Sequence, residues 1–485
     1  MNEAFQVLDV VSMRRVDEET IANDLPLLAL MENAGRSAWE SYEEMWGGAP
    51  LHILVGPGHN GADGIVMARW AAIHGVSATL YGNRERLGEA GKTQWALAKK
   101  EGVLWSRDEP KSLGDPYGVV VDGLLGTGAK GQPRGDACRW IEGANRAPWL
   151  GRMALDAPSG VDMDTGHVEG VAFQADLTLT FAFLKPGLLL APGAHFAGIV
   201  EVAYIGIPKL GVGTPFGWYH TPESIASLLP SFPSDGHKGT AGRVGVWAGS
   251  RTFPGAARLT VEGALRSGAG VVHWSGQGEM PPEVIQEGAL PSAIRPLDGW
   301  AIGPGLGRQE ESLASIRDES SLLECPVVLD ADGLTAFVGH EELLTSHKGE
   351  RILTPHHAEG ASLLCGDICQ IERDRLGGVR ALARRTGATV LLKGQPTLVA
   401  QGDLPIHFVG SGCPSLAHGG TGDVLAGLIA GLLAQGLPGL DAAICGAWLH
   451  GRAGSLWEEE GRPRESATAS EIAPLIESAW KDLPR

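Results

Sequence analysis

The chain reads as an α/β protein of two domains, each built on a mostly parallel sheet. Three observations carry that reading. Short β-branched runs ending in glycine or aspartate alternate with Ala- and Leu-rich helical stretches, the pattern of strands joined by crossover helices. The 485 residues exceed what one hydrophobic core sustains. Between residues 206 and 239 the chain collects Pro208, Gly211, Gly213, Pro215, Pro222, Pro230, Pro233 and Gly236, the composition of a linker. The boundary is set near residue 220, giving domains 1–220 and 221–485. The 70 glycines follow apolar runs and so fit tight strand-to-helix loops rather than disorder.

In the first half, strands are predicted at 51–55, 78–81, 119–121, 153–155 and 177–181. The first of them runs into Gly56-Pro57-Gly58-His59-Asn60-Gly61-Ala62-Asp63-Gly64 and then an apolar helix. Glycines 56, 58 and 61 satisfy the G-x-G-x-x-G dinucleotide pattern, but the acidic residue expected at the end of the next strand is missing, where Tyr81-Gly82-Asn83 stands instead. An ordinary nicotinamide dehydrogenase therefore fits poorly. Two further strands end in carboxylates, Asp122 in V-D-G-L-L-G-T-G and Asp156 in L-D-A-P-S-G-V-D. Strand-end Asp residues also cap turns. Three polar loops at the carboxyl edge of one parallel sheet would nonetheless form one site.

In the second half, strands are predicted at 244–247, 271–274, 300–302, 327–329, 351–353 and 390–392. The most informative segment follows them: A-H-G-G-T-G-D-V-L-A-G-L-I-A-G from Ala417. A glycine run opens an apolar helix, and helix N-termini bind anions through unpaired N–H groups and the helix dipole. Asp423 in the first turn would repel a phosphate unless it has chemical work. Drawing the proton from a hydroxyl that attacks phosphorus is such work.

The formal charge of −18 argues against a nucleic-acid partner, whose phosphates would be repelled, so an anionic substrate must be held by local donors. Six cysteines lie scattered with no C-x-x-C, and although Cys365 and Cys369 could share a helix face, a reducing compartment is the simpler reading. The acidic N-terminus lacks the basic flank of a signal peptide, and the apolar stretch 177–200 is broken by Lys185, Pro186, Gly187 and Pro192. A cytoplasmic protein, with no membrane partner, is expected.

V-G-P-G-H-N-G-A-D-G-I, V-D-G-L-L-G-T-G, L-D-A-P-S-G-V-D, L-T-F-A-F-L-K-P-G-L and Y-I-G-I-P resemble the YjeF N-terminal, NAD(P)H-hydrate epimerase family, as do M-R-R-V-D-E-E-T-I and L-A-L-M-E-N-A-G-R near the start. The resemblance covers nearly all of residues 1–215 and implies a Rossmann-like domain. It implies that His59, Asn60, Gly61, Ala62 and Asp63, with Gly126, Thr127, Gly128, Ala129, Lys130, Gly131 and Gln132, contact the hydrated cofactor. Asp156 would contact it too and serve as acid/base. Asn60, Asp122 and Ser159 would hold potassium, as suits hard oxygen donors. Two positions depart from the family pattern: His59 replaces Asn and Ala62 replaces Gly.

H-K-G-T-A-G-R-V-G-V-W-A-G-S from His237, P-G-A-A-R-L-T-V-E-G-A-L-R-S-G-A-G, A-I-G-P-G-L-G, V-V-L-D-A-D-G-L, L-T-P-H-H-A-E, L-L-K-G-Q-P-T-L-V and the segment around Asp423 resemble the ADP/ATP-dependent NAD(P)H-hydrate dehydratase family. The correspondence runs over about residues 235–455 and implies a ribokinase-like fold. Ala256, a glycine of the G-P-G-L-G loop (Gly305 or Gly307), His356 and Asp423 would contact the hydrated nicotinamide. Lys393, Gly394, Gln395, Pro396 and Thr397, with Gly422, would contact the nucleotide. Asp330 and Asp332 would organise the waters of magnesium, a turn role being the alternative. Here Gly333 replaces Ala, H-H-A-E replaces H-P-G-E, and Cys413 and Ser415 replace Asn and Gly.

The expected activity is repair of hydrated NADH and NADPH. Asp423 would deprotonate the ring hydroxyl as it attacks the terminal phosphoryl of ADP or ATP, after which the ring nitrogen expels phosphate. The other half would interconvert the two epimers. A ribokinase-type small-molecule kinase with a non-catalytic N-terminal binding or scaffold module is the alternative. A homo-oligomer is expected.

Overall fold

The computed structural model describes residues 4–106, 117–208, 213–230, 239 and 241–484. Much of the predicted linker, and the start of the motif at His237, lies outside the described residues. The chain divides into two compact units, Phe5–Phe216 and Gly217–Arg485 with Met1–Ala4.

The first unit is a seven-stranded sheet in the order Leu104–Ser106, Ala78–Tyr81, Leu51–Val55, Val119–Gly123, Gly151–Leu155, Leu177–Phe181, Ile199–Ala203. Every pairing in it is parallel. Such strands are buried on both faces, which is why they read as continuous apolar runs: Val119, Val120 and Val121 are fully buried. Chain order reverses between Leu51–Val55 and Val119–Gly123, where Leu54 lies opposite Asp122. Ligands bind at the carboxyl ends of strands at such a reversal.

The second unit's strands run in the order Gly217–Tyr219, Ile406–Val409, Thr397–Gln401, Thr389–Leu392, Arg351–Leu353, Val327–Leu329, Gly299–Ile302, Arg243–Trp247, Val271–Trp274, Val284–Gln286. Thr397–Gln401 runs antiparallel to both neighbours, and the remaining pairings are parallel. Order reverses between Arg243–Trp247 and Gly299–Ile302. The helices Pro254–Arg266 and Thr421–Ala434 approach at backbone contact, because Gly263 and Gly427 leave no side chain between them: a Cβ on Gly427 would overlap the Thr260 carbonyl. That contact fixes where the N-terminus of the Asp423 helix points.

All eleven predicted strands are present, some longer by one or two residues. Seven strands among the described residues were not predicted: Phe5–Val7, Leu104–Ser106, Ile199–Ala203, Gly217–Tyr219, Val284–Gln286, Thr397–Gln401 and Ile406–Val409.

Candidate active sites

The first site forms at the order reversal of the seven-stranded sheet. Gly56 and Gly61 pack against each other's turn: a Cβ on Gly61 would overlap the Gly56 carbonyl, whereas one on Gly58 would meet open space. The pair closes the strand-to-helix turn and leaves Gly58 facing solvent. The helix His59–Ile73 follows, with Asn60 6% and Asp63 8% exposed. A cavity of about 420 Å³ opens here, lined among others by His59, Asn60, Asp63, Gly126, Thr127, Gly128 and Asp156. Ala62 lies outside that lining with no exposed surface, so the methyl that departs from the family pattern packs into the interior. Gly61, Ala129, Lys130, Gly131 and Gln132 also lie outside it, and Lys130 is paired with Asp164 at 3.0 Å.

Asp122 is completely buried. It accepts from Ser159 N at 2.7 Å, Ser159 Oγ at 2.8 Å and Leu124 N at 3.0 Å, and burial pushes its carboxyl up to about 6. Leu125 N donates to Ser159 Oγ and Asn60 Nδ2 donates to Leu125 O, so three loops are tied into one knot. Asn60 Oδ1 is left buried without a partner. An orphaned carbonyl oxygen beside a buried carboxylate is a donor set suited to a hard monovalent cation.

Asp156 holds a positive φ of 61°, a strained conformation for a residue with a side chain. Its carboxylate is fixed by Lys185 Nζ at 2.6 Å, and that ammonium, 1% exposed, also donates to Thr180 Oγ1 and Phe181 O. Sequence reading assigned Lys185 no role because its partner lies on a strand end far away in the chain. Asp17, on the opening helix Val10–Asn23, lines the same cavity and was likewise unassigned.

The second site lies at the carboxyl ends of Val327–Leu329, Arg351–Leu353 and Thr389–Leu392. A cavity of about 740 Å³ is lined by residues from each of these ends and by the Gly-rich loop. Gly420, at φ 91°, turns the chain into the helix Thr421–Ala434. Thr421 Oγ1 sits 2.8 Å from Leu416 O and 3.0 Å from His418 O, which holds the loop in place. Asp423 stands in the first turn and faces the cavity. Burial and the neighbouring Asp330 push it up to about 7, against the relief given by Lys393.

Lys393 donates to Asp330 Oδ1 at 2.9 Å, with Glu359 Oε2 3.9 Å away. Burial acts to lower its ammonium, but Asp330 and Glu359 outweigh this and hold it above the ordinary range. Thr354 Oγ1 also donates to Asp330 Oδ1. A Cβ on Gly422 would stand 3.3 Å from Lys393 Nζ and 3.6 Å from Asp330 Oδ2, so the helix N-terminus, the ammonium and a free carboxylate oxygen converge. Asp332 is different. Its oxygens accept from Gly307 N and Arg308 Nε, both at 2.9 Å, which ties down the G-P-G-L-G loop and leaves Asp330 alone free to meet a hydrated cation.

His356 caps the helix His357–Leu363 reciprocally with Glu359: its Nδ1 accepts from Ala358 N and Glu359 N while its own N–H donates to Glu359 Oε2. It lines the cavity together with Lys393, Gly394, Gln395, Thr397, Gly422 and Asp423. Pro396, Ala256, Gly305 and Gly307 lie outside that lining. Gly305 and Ala256 are neighbours of one another: a Cβ on Gly305 would come 2.8 Å from Ala256 Cβ, at the order reversal of this sheet. Cys413 lines the cavity where the family carries Asn, its thiol pushed up by burial. Ser415, where the family carries Gly, is fully buried and donates to Glu458 Oε1 at 2.8 Å. His450, also in the lining, was missed because a lone histidine on the apolar helix Gly439–Glu459 reads as core. It is 7% exposed, Nε2 has no partner, and burial pushes the imidazole down to about 4.

A family model described as NAD(P)H-hydrate dehydratase matches residues 244–476, and one described as YjeF-related protein N-terminus matches residues 27–187. The bifunctional NAD(P)H-hydrate repair enzyme Nnr of Moorella thermoacetica is 36% identical over 481 residues, covering 91% of this chain and 89% of that one. The chain belongs to the bifunctional NAD(P)H-hydrate repair enzyme family. The Escherichia coli K12 member is 33% identical over 453 residues, covering 88% of this chain and 85% of its own. Among solved structures, the ADP/ATP-dependent NAD(P)H-hydrate dehydratase of Bacillus subtilis, co-crystallised with ATP and Mg2+, matches with TM-score 0.50 and 29% identity, covering 54% of this chain and 98% of that one. Family membership accounts for two unrelated α/β units on one chain. Among the described residues, no helix is long and apolar enough to cross a membrane.

Proposed function

We propose that this chain repairs hydrated NADH and NADPH, with epimerisation in residues 1–220 and nucleotide-driven dehydration in residues 221–485. The observation that carries it is Asp423: a carboxylate at a helix N-terminus, inside a large cavity, pushed up to about 7. A general base works best when its pKa lies near the operating pH. Asp423 takes the proton of the ring hydroxyl as that oxygen attacks the terminal phosphoryl group. Lys393 and the N–H groups opening the helix at Thr421 and Gly422 offset the charge on the phosphoryl oxygens. The ring-nitrogen lone pair then expels phosphate, and proton loss restores the dihydropyridine.

Lys393 to Thr397 bind the nucleotide in this reading, and His356 with Ala256 and a G-P-G-L-G glycine orient the hydrated ring. Asp330, through its open Oδ2, would hold magnesium, which would screen the nucleotide's phosphates. Positioning admits only one epimer with its hydroxyl in line, which gives the attached epimerase its purpose. There Asp156 moves protons at the hydrated carbon. Asn60, Asp122 and Ser159 would hold potassium, whose charge would balance the buried Asp122. The chain acts in the cytoplasm, as a homo-oligomer.

The test is incubation of separated epimers with ADP or ATP while following recovery of dihydronicotinamide absorbance. One epimer should recover with nucleotide alone, and the other only after interconversion that Asp156→Ala abolishes. A phosphorylated metabolite in place of free phosphate and reduced cofactor overturns the reading.

A further inference from the structure

The epimerase cavity holds a second carboxylate that the site described above does not use. Asp17 projects from the helix Val10–Asn23 into the cavity that Asp156 also lines, and its carboxylate accepts no hydrogen bond from the described protein. Asp156, by contrast, is engaged by Lys185 Nζ at 2.6 Å. The groups facing Asp17 come from every wall. Lys185 and Asp156 stand on the strand-end loops, Asp63 and His59 on the helix His59–Ile73, and Arg14 and Glu18 on its own helix. One cavity therefore holds a carboxylate pinned by an ammonium and another with no fixed partner.

Resting on the epimerase reading above, we infer that Asp17 is the catalytic acid of epimerisation, donating a proton to the departing hydroxyl while Asp156 serves as the base. Loss of hydroxide from the hydrated carbon needs a proton donor, and return of water to the opposite face needs an acceptor. One carboxyl group cannot be both acid and base in the same microstate, and two in different environments divide the roles. Asp17 gives its proton to the ring hydroxyl. The C–O bond breaks as the ring-nitrogen lone pair forms a C=N bond, and water leaves. Water adds to the other face, its oxygen forming the new C–O bond while the electron pair returns to nitrogen, and Asp156 takes the surplus proton. One proton has then passed from Asp17 to Asp156, and it returns through the water of the open cavity.

The electrostatics agree with the geometry. Burial pushes Asp17 up to about 6 against the pull of Lys185, and the charge of Asp156 adds to the rise. Asp63, deeper in the wall, is raised well above the carboxylate range by burial and then by Asp156 and Asp17. A carboxylic acid therefore persists in this cavity closer to neutrality than it would in water.

The experiment follows interconversion of separated epimers by full-length protein with no nucleotide present, from pH 5 to 9, for the wild type, Asp17→Asn, Asp17→Glu, Asp63→Asn and Asp156→Asn. The wild-type rate is expected to fall as pH rises through about 6, where the acid is lost. Asp17→Asn should lower kcat about 100-fold or more and remove that alkaline limb, and Asp17→Glu should restore part of both. A melting transition for Asp17→Asn no lower than the wild type's marks the loss as chemical. A wild type that does not interconvert the epimers overturns the epimerase reading itself. A wild type that does, with Asp17→Asn equally fast or with its alkaline limb intact, overturns the role of Asp17 alone, as does finding that Asp63→Asn rather than Asp17→Asn removes the limb. A wild-type profile with no alkaline limb overturns it without any variant.

Discussion

Replacing Asp423 by Asn separates the catalytic use of this carboxylate from its structural cost, because the two effects have opposite signs. The side chain keeps its size and loses the ability to take a proton. Removing one general base costs about 100- to 10,000-fold in rate, equivalent to about 3 to 5 kcal/mol in the barrier. The wild-type dehydration rate should rise with pH through about 7, as Asp423 ionises, and level off above. Stability moves the other way. A carboxyl group with an ordinary value of 3.8 that titrates at about 7 in the folded state penalises folding once it is ionised. That penalty is absent below the lower value, grows as pH rises through the window, and is complete above about 7. The difference corresponds to about 4 kcal/mol, and water entering the open cavity screens part of it, leaving an expected gain of about 2 to 4 kcal/mol for Asp423→Asn at pH 8. The second unit should then melt several degrees higher at pH 8 and show no difference near pH 4. Recovery of dihydronicotinamide absorbance with ATP and thermal melts at the two pH values measure both effects. Full dehydration rate in the variant, or a variant no more stable at pH 8 than at pH 4, refutes the reasoning.

Lys393→Met leaves Asp330, 2% exposed, without its cation, which costs about 3 to 5 kcal/mol of stability and should raise the KM for ATP at least about tenfold, read by steady-state kinetics and denaturant titration. Asn60→Ala removes the orphaned oxygen beside Asp122, so epimerisation that depends on potassium in the wild type should lose that dependence when K+ is exchanged for tetramethylammonium. Gly427→Ala drives a methyl into the Thr260 carbonyl between the two helices that aim Asp423; a loss of about 1 to 3 kcal/mol by urea unfolding is expected, with slower dehydration at pH 8.

Strands buried on both faces of a parallel sheet leave a dense β-branched signature, so V-V-V at 119–121 and V-V-L at 327–329 were visible in the sequence. Edge strands such as Leu104–Ser106 are short and half exposed, and they carry no such signature. The hairpin after Lys393 was hidden for a different reason. K-G-Q-P-T reads as a loop, yet Thr397 already pairs with Val409 in an antiparallel ladder, so the segment proposed to bind nucleotide is a turn anchored to a strand. Motif-bearing loops announced the sites; the groups that tune them did not. Lys185, Asp17 and His450 reach the two cavities only through folding, and no local spacing encodes that.

The two aspartates at 330 and 332 show what the sequence lacks. Two positions apart at one strand end, they look interchangeable. Folding divides them: Asp332 spends both oxygens on Gly307 and Arg308, while Asp330 turns one to Lys393 and Thr354 and leaves the other toward the helix N-terminus. The division sets the charge balance of the cavity. Lys393 stands against Asp330, Glu359 and Asp423, so a nucleotide entering here would meet a negative surplus even beside the loop proposed to bind it. Two things relieve it, a proton held on Asp423 and a divalent cation carried in on the phosphates. In the proposed role Asp423 gives up its proton to act as base, and a divalent cation would then supply the charge that lets the carboxylate and the phosphoryl group share the site.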